Sequence, residues 1–243
     1  MPTSRNQDLM RAPAAQGRTP PDPGWPIFFS FLLVLGLPAV LFALITWQVL
    51  THGPLLRVDK QVSRDLVHPD RVSELLADLG NVQVAVPVLV VVLVHVALRA
   101  RATGADRWWL PPVAAAVLMA LVPAFVVPLK NWTARHGTPV MPPGVGYYPS
   151  GHTATAVVAY GCVTLLLLPW LGTARARRAL VLACFALVLG VSFGLVRRGY
   201  HWPLDVVASW CLCTVLLSFL WLLLSRSSRR TSSGTPSSRT GPS

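Results

Sequence analysis

Charged side chains are scarce in this chain of 243 residues: Asp, Glu, Lys and Arg together make up 12%, about half the share of an ordinary soluble domain. Apolar residues fill 53% of the sequence, and the mean hydropathy is +0.54. A water-soluble globular domain is excluded, and the chain reads as an integral membrane protein. Acidic residues are the rarest charged class, nine in all, and they form no carboxylate cluster suited to Mg²⁺. Chemistry that depends on such an ion is not expected. Cysteine is scarce too. Cys162, Cys184, Cys211 and Cys213 all fall inside apolar runs, which disfavours both a disulfide framework and metal ligation and leaves them as small packing residues.

What the chain does have is apolar runs. Six reach the roughly 17 to 25 residues that cross a hydrocarbon core about 30 Å thick: residues 26–50, 82–98, 108–129, 153–171, 179–196 and 203–224. The second and fifth are short enough to fit a buried or tilted helix equally well. Inside lipid only helices and closed barrels satisfy their backbone groups, and continuous apolar runs without two-residue alternation select helices. The expected fold is all-α, a six-span transmembrane helical bundle. Between the first two spans, Val58, Val62 and Leu66, then Val72, Leu75, Leu76 and Leu79, recur near helical spacing. His68-Pro69 divides the two groups and Gly80-Asn81 ends the second, so one or two amphipathic interfacial helices are expected there.

Cation placement orients the bundle. With both termini in the cytoplasm, the cytoplasmic segments hold thirteen of the 21 cations, as the positive-inside bias requires. The remaining eight include Arg57, Lys60, Arg64 and Arg71, which five acidic residues dilute. The protein is therefore expected in the cell membrane as a multi-pass chain whose motif-bearing loops face the extracytoplasmic side. The formal charge of +12 is spread over loops and tails and indicates anionic lipid, not nucleic acid. Composition divides the chain into a disordered cytoplasmic leader (1–24), a membrane helical domain (25–225) and a disordered basic tail (226–243). The first run is longer and ends more polar than a signal-peptide core, and is expected to be a retained span.

Three short blocks carry the chemistry. In Tyr148-Pro149-Ser150-Gly151-His152, Ser150 can cap the following helix while Gly151 admits close backbone approach, an anion-binding turn at a positive helix end. A bare cap with an interfacial histidine reads equally well. In His201-Trp202-Pro203-Leu204-Asp205, an aspartate four residues after a histidine can orient the ring and stabilise its cation; a helix-start carboxylate beside a surface histidine is the simpler alternative. Lys130 and Arg135 close the third span, where single cations usually anchor the helix at the interface. The topology sets all three blocks at one membrane boundary, and that convergence favours phosphoryl chemistry.

Together the blocks resemble the type 2 phosphatidic acid phosphatase family, whose members share a helical core and phosphate pocket with vanadium-dependent haloperoxidases. The resemblance spans roughly Asp59 to Trp210. The family pattern is a Lys with Arg-Pro seven and eight positions on, then Pro-Ser-Gly-His, then Ser-Arg with a His six after the Arg and an Asp four further. Here Pro149 to His152 is intact and His201 and Asp205 are kept, but Gly137 and Thr138 stand for Arg-Pro and Gly194 and Leu195 for Ser-Arg. The resemblance implies a metal-independent hydrolase without cofactor, acting on a membrane lipid phosphate or diphosphate through a phosphohistidine. In it His201 is the nucleophile, Asp205 its orienting group and His152 the acid and base. Lys130, Arg135, Ser150, Gly151 and one of Arg197 or Arg198 would hold the phosphate. Transfer of a phospho-headgroup to a lipid alcohol, and a non-catalytic membrane protein on the same scaffold, are the competing readings.

Overall fold

The computed structural model describes the backbone of residues 32–232 and the side chains of residues 33–226. The expected leader (1–24) and the start of the first span lie outside these residues, as do residues 233–243 of the expected tail. After a π-helical turn, Leu32–Gly36, the described residues form eight α-helices: α1 Leu37–Leu50, α2 Leu55–Leu66, α3 Arg71–Asp78, α4 Val82–Ala102, α5 Leu110–Thr133, α6 Gly151–Leu167, α7 Ala174–Arg197 and α8 Pro203–Ser232. No strand forms among the described residues. Among the described residues six helical segments are long and apolar enough to cross a membrane, so the chain is a multi-pass helical membrane protein.

Boundaries differ from the sequence expectation where charge hides helix. The fifth span covers Ala174–Arg197, 24 residues rather than a short run, because Arg175, Arg177 and Arg178 are helical although hydropathy discounts them. Thr173 caps it, its hydroxyl accepting from the Ala176 amide at 3.2 Å. The fourth span begins at Gly151, which puts His152 inside the first helical turn. Helix α8 continues to Ser232, past the boundary expected at residue 226.

Helix α6 is the hub. Of its spanning window 67% is buried, against 17–33% for the other five, and it packs against α4, α5, α7 and α8. Its sequence explains this: Ala154, Ala156, Ala159 and Cys162 are fully buried, and a Cβ on Gly161 would meet Leu217 Cδ1 at 2.5 Å. Small residues let neighbouring backbones approach where lipid supplies no hydrophobic drive between helices.

Helices α2 and α3 cover one end of the bundle with their polar side inward. Asp59, Ser63, Ser73 and Ala77 are buried, whereas Val58 and Leu75 are 56% and 67% exposed. That inversion suits a helix whose apolar face meets lipid. Asp70 caps α3 reciprocally, accepting from the Ser73 amide at 2.7 Å while its own amide donates to Ser73 Oγ at 3.1 Å.

Candidate active site at the capped end of the bundle

The site is built where α5 ends and α6 and α8 begin. Ala134 takes a left-handed conformation (φ 41°) and turns the chain out of α5. The loop that follows is tied down throughout. Arg135 O accepts from the Gly146 and Tyr147 amides at 2.9 and 3.1 Å, and His136 O accepts from Trp202 Nε1 at 3.1 Å. The Thr138 hydroxyl donates to Gly199 O. Gly199 (φ 73°) reverses the chain between α7 and α8, a conformation that costs glycine least. Tyr148 is fully buried, bonded to Thr46 Oγ1 at 2.7 Å, and burial pushes its hydroxyl pKa up. It is therefore an internal tie between the loop and α1 rather than a member of an interfacial aromatic belt.

These ties bring the two motif histidines together. The ring centroids of His152 and His201 lie 6.3 Å apart at an interplanar angle of 59°. His201 is buried, and its Nδ1 stands 3.4 Å from Asp205 Oδ2. That oxygen also accepts from the Trp202 amide at 3.2 Å. With Nδ1 turned to a carboxylate, Nε2 is the nitrogen left for chemistry. Both histidines, Gly151, Tyr147 and Lys130 line a cavity of about 830 Å³ that continues between α4 and α5 over Val86, Leu89, Met119, Val122 and Val126. Lys130 Nζ donates to Gly146 O at 2.7 Å, and it is the only lysine or arginine lining this cavity among the described residues.

The other expected phosphate contacts sit elsewhere. Arg135 is held between two buried carboxylates: one terminal nitrogen donates to Asp205 Oδ1 at 2.5 Å, the other to Asp59 Oδ2. Arg197 Nε donates to Asp70 Oδ2 at 2.8 Å, and Arg198 faces Glu74 and the Tyr200 hydroxyl, so both clasp α3. The Ser73 amide first and Arg197 second hold the Asp70 carboxyl down at about 2. A depressed carboxyl contributes above its ordinary value of 3.8 and is lost as pH falls towards 2, so the clasp stays closed at neutral pH. Ser150 is fully buried, with its hydroxyl 3.3 Å from the Thr153 amide and 3.0 Å from Thr153 Oγ1. It serves as the helix cap, which both of its sequence readings include.

Sequence reasoning missed Asp59. It counted only as one of five acids diluting the local cations, yet it is 3% exposed and its Oδ1 also accepts from the Leu204 amide at 2.9 Å. Burial pushes its carboxyl up, opposed by Arg135. The available signal was its four-residue spacing from Ser63, which marks a polar stripe on a helix otherwise turned to lipid.

Six spanning helices, a polar cap and two histidines over an apolar cavity define a membrane protein with an active-site-like pocket at one end. The model of the PAP2 superfamily matches residues 111–229, and the chain belongs to that superfamily. Its structure is similar to that of a transmembrane PAP2-type phosphatidylglycerolphosphate phosphatase from Bacillus subtilis, with a TM-score of 0.64 at 18% identity over 78% of this chain and 96% of that one. The two share a fold. No curated protein sequence matches the chain.

The departures from the family motifs have steric causes. A Cβ on Gly194 would stand 2.6 Å from Ala77 N and Ser73 O, because α3 packs directly on α7 there. Leu195 is fully buried in the apolar core. A Cβ on Gly137 would stand 2.8 Å from the Tyr147 ring, so Tyr147 occupies the space beside it. Restoring the motif with Gly194→Ser and Leu195→Arg is expected to destabilise the protein by about 3 to 5 kcal/mol, the scale of an unpaired buried charge. Thermal unfolding in detergent would read this as a clear fall in Tm, and an unchanged Tm would contradict the packing account.

Proposed function

We propose that the chain is a membrane lipid phosphatase that removes phosphate from a lipid phosphate or diphosphate through a phosphohistidine on His201. The observation that carries this reading is the pair of imidazoles, with Lys130 beside them, at the head of a cavity whose walls from α4 and α5 are otherwise apolar. Reacting atoms about 3 to 3.5 Å apart, plus one hydrogen bond of about 2.8 Å, require two working nitrogens roughly 6 to 7 Å apart. Ring centroids 6.3 Å apart leave a nitrogen of each ring able to reach one phosphoryl group between them.

In the forward step the Nε2 lone pair of His201 forms a bond to phosphorus as the bond to the lipid oxygen breaks, and protonated His152 gives that oxygen its proton. Asp205 keeps the Nδ1 proton in place and balances the charge that develops on the ring. Neutral His152 then takes a proton from water as the water oxygen bonds to phosphorus and the N–P bond breaks. Lys130 and the positive end of α6 balance the phosphoryl oxygens. The walls from α4 and α5 accommodate acyl or prenyl chains while the phosphate sits beside Lys130.

Cation asymmetry supports an extracytoplasmic site, since Arg99, Arg101, Arg107, Arg175, Arg177 and Arg178 all lie at the opposite end. Purified protein is expected to release inorganic phosphate from short-chain phosphatidic acid in the presence of EDTA. No release, or release only with added Mg²⁺, would count against the reading. A new phospholipid formed only when a lipid alcohol is supplied would favour headgroup transfer.

A further inference from the structure

The buried ionic chain extends two residues beyond the histidine and aspartate, into a helix that lends no side chain to the cavity lining. From His201 it passes through Asp205 Oδ2, Asp205 Oδ1 and the Arg135 guanidinium to Asp59 on α2. We infer that Asp59 is a positioning residue for the proposed phosphoryl transfer, acting through Arg135 to fix the carboxylate that orients His201. The inference rests on that proposed reaction.

Geometry supports this in two ways. Both Arg135 terminal nitrogens are engaged, one by each carboxylate, so Asp59 sets the plane of the guanidinium and with it the position of Asp205 Oδ1. Each carboxylate takes one charge-assisted bond from the planar guanidinium, and the two together fix its orientation. Asp59 Oδ1 also accepts from the Leu204 amide, in the first turn of the helix that carries Asp205. One carboxylate thereby locks both the side chain and the backbone that place the dyad.

Charge points the same way. Two carboxylates face one guanidinium, so the buried group carries an excess negative charge beside His201. That charge offsets the positive charge that develops on the ring as its Nε2 bonds to phosphorus. Neutralising Asp59 weakens the offset and frees Arg135 to rotate, while leaving Lys130 and His152 in place.

The test is steady-state hydrolysis of short-chain phosphatidic acid by the full-length purified chain in four forms: native, Asp59→Asn, Arg135→Gln and the double variant. Asn retains the size of the side chain and an acceptor for the Leu204 amide. Asp59→Asn is expected to lower kcat about tenfold, the size that outer partners of functional histidines are worth, with KM within twofold of native. In the Arg135→Gln background the same change is expected to cost nothing further, because the route through Arg135 is already cut.

Native kcat in Asp59→Asn would overturn the inference while leaving the phosphatase reading intact. So would losses that multiply in the double variant, or a change confined to KM. A lower Tm with kcat per folded molecule unchanged would show a purely structural role and overturn it too. A native chain that releases no phosphate would overturn the phosphatase reading and this inference with it.

Discussion

His201→Ala is expected to lower phosphate release from a lipid phosphate by about 10⁴- to 10⁶-fold, the loss seen when a member of a covalent catalytic unit is removed. No neighbouring group is placed to take over. Lys130 is engaged by Gly146 O, and His152, the other ring at the cavity, is needed for proton transfer. The variant should still fold, because Asp205 keeps Arg135 and the Trp202 amide as partners and no buried charge is orphaned. The measurement is single-turnover phosphate release alongside Tm. Retention of more than about a tenth of native activity would remove His201 from the chemistry.

His152→Ala is expected to cost about 10³-fold with the same lipid, within the range of general acid–base catalysis. Its side chain lies at the exposed start of α6, so truncation leaves no hole in the core. The loss should depend on the leaving group. An alkoxide needs a proton as it departs, whereas a nitrophenolate does not, so the first-turnover release of nitrophenolate from p-nitrophenyl phosphate is expected to slow less than about tenfold, while later turnovers wait on water attack without its base. Equal losses on both substrates in that first step would show that His152 binds phosphate instead of donating a proton.

These two residues stood out in the sequence because their chemistry is local: a histidine two residues after a helix cap, and a histidine four residues before an aspartate on the next helix. The spans were legible for the same reason, since a run of apolar residues declares a membrane helix without reference to any partner. The arginines were not legible. Arg135, Arg197 and Arg198 all lie near the motifs in sequence, but a guanidinium goes where a carboxylate is. Apart from Asp205, the carboxylates that hold them come from the interfacial segment, Asp59 76 positions from Arg135 and Asp70 127 positions from Arg197.

The motif departures at Gly137 and Gly194 were equally visible as missing side chains. What the sequence could not show is that the Tyr147 ring and the backbone of α3 fill those spaces. Leucine at 195 and glycine at 194 belong with the docking of α3 on α7, which the Arg197 and Arg198 clasps reinforce. The pocket is thereby left with Lys130 as its lysine or arginine.

The most direct measurement is rapid quenching of the His152→Ala variant turning over p-nitrophenyl phosphate labelled at phosphorus, whose leaving group departs without a proton so that the intermediate accumulates, followed by peptide mapping. A base-stable, acid-labile label on the peptide containing His201 is the result expected if that ring attacks phosphorus. Continued phosphate release with no covalent label, or with the label on another residue, would contradict it.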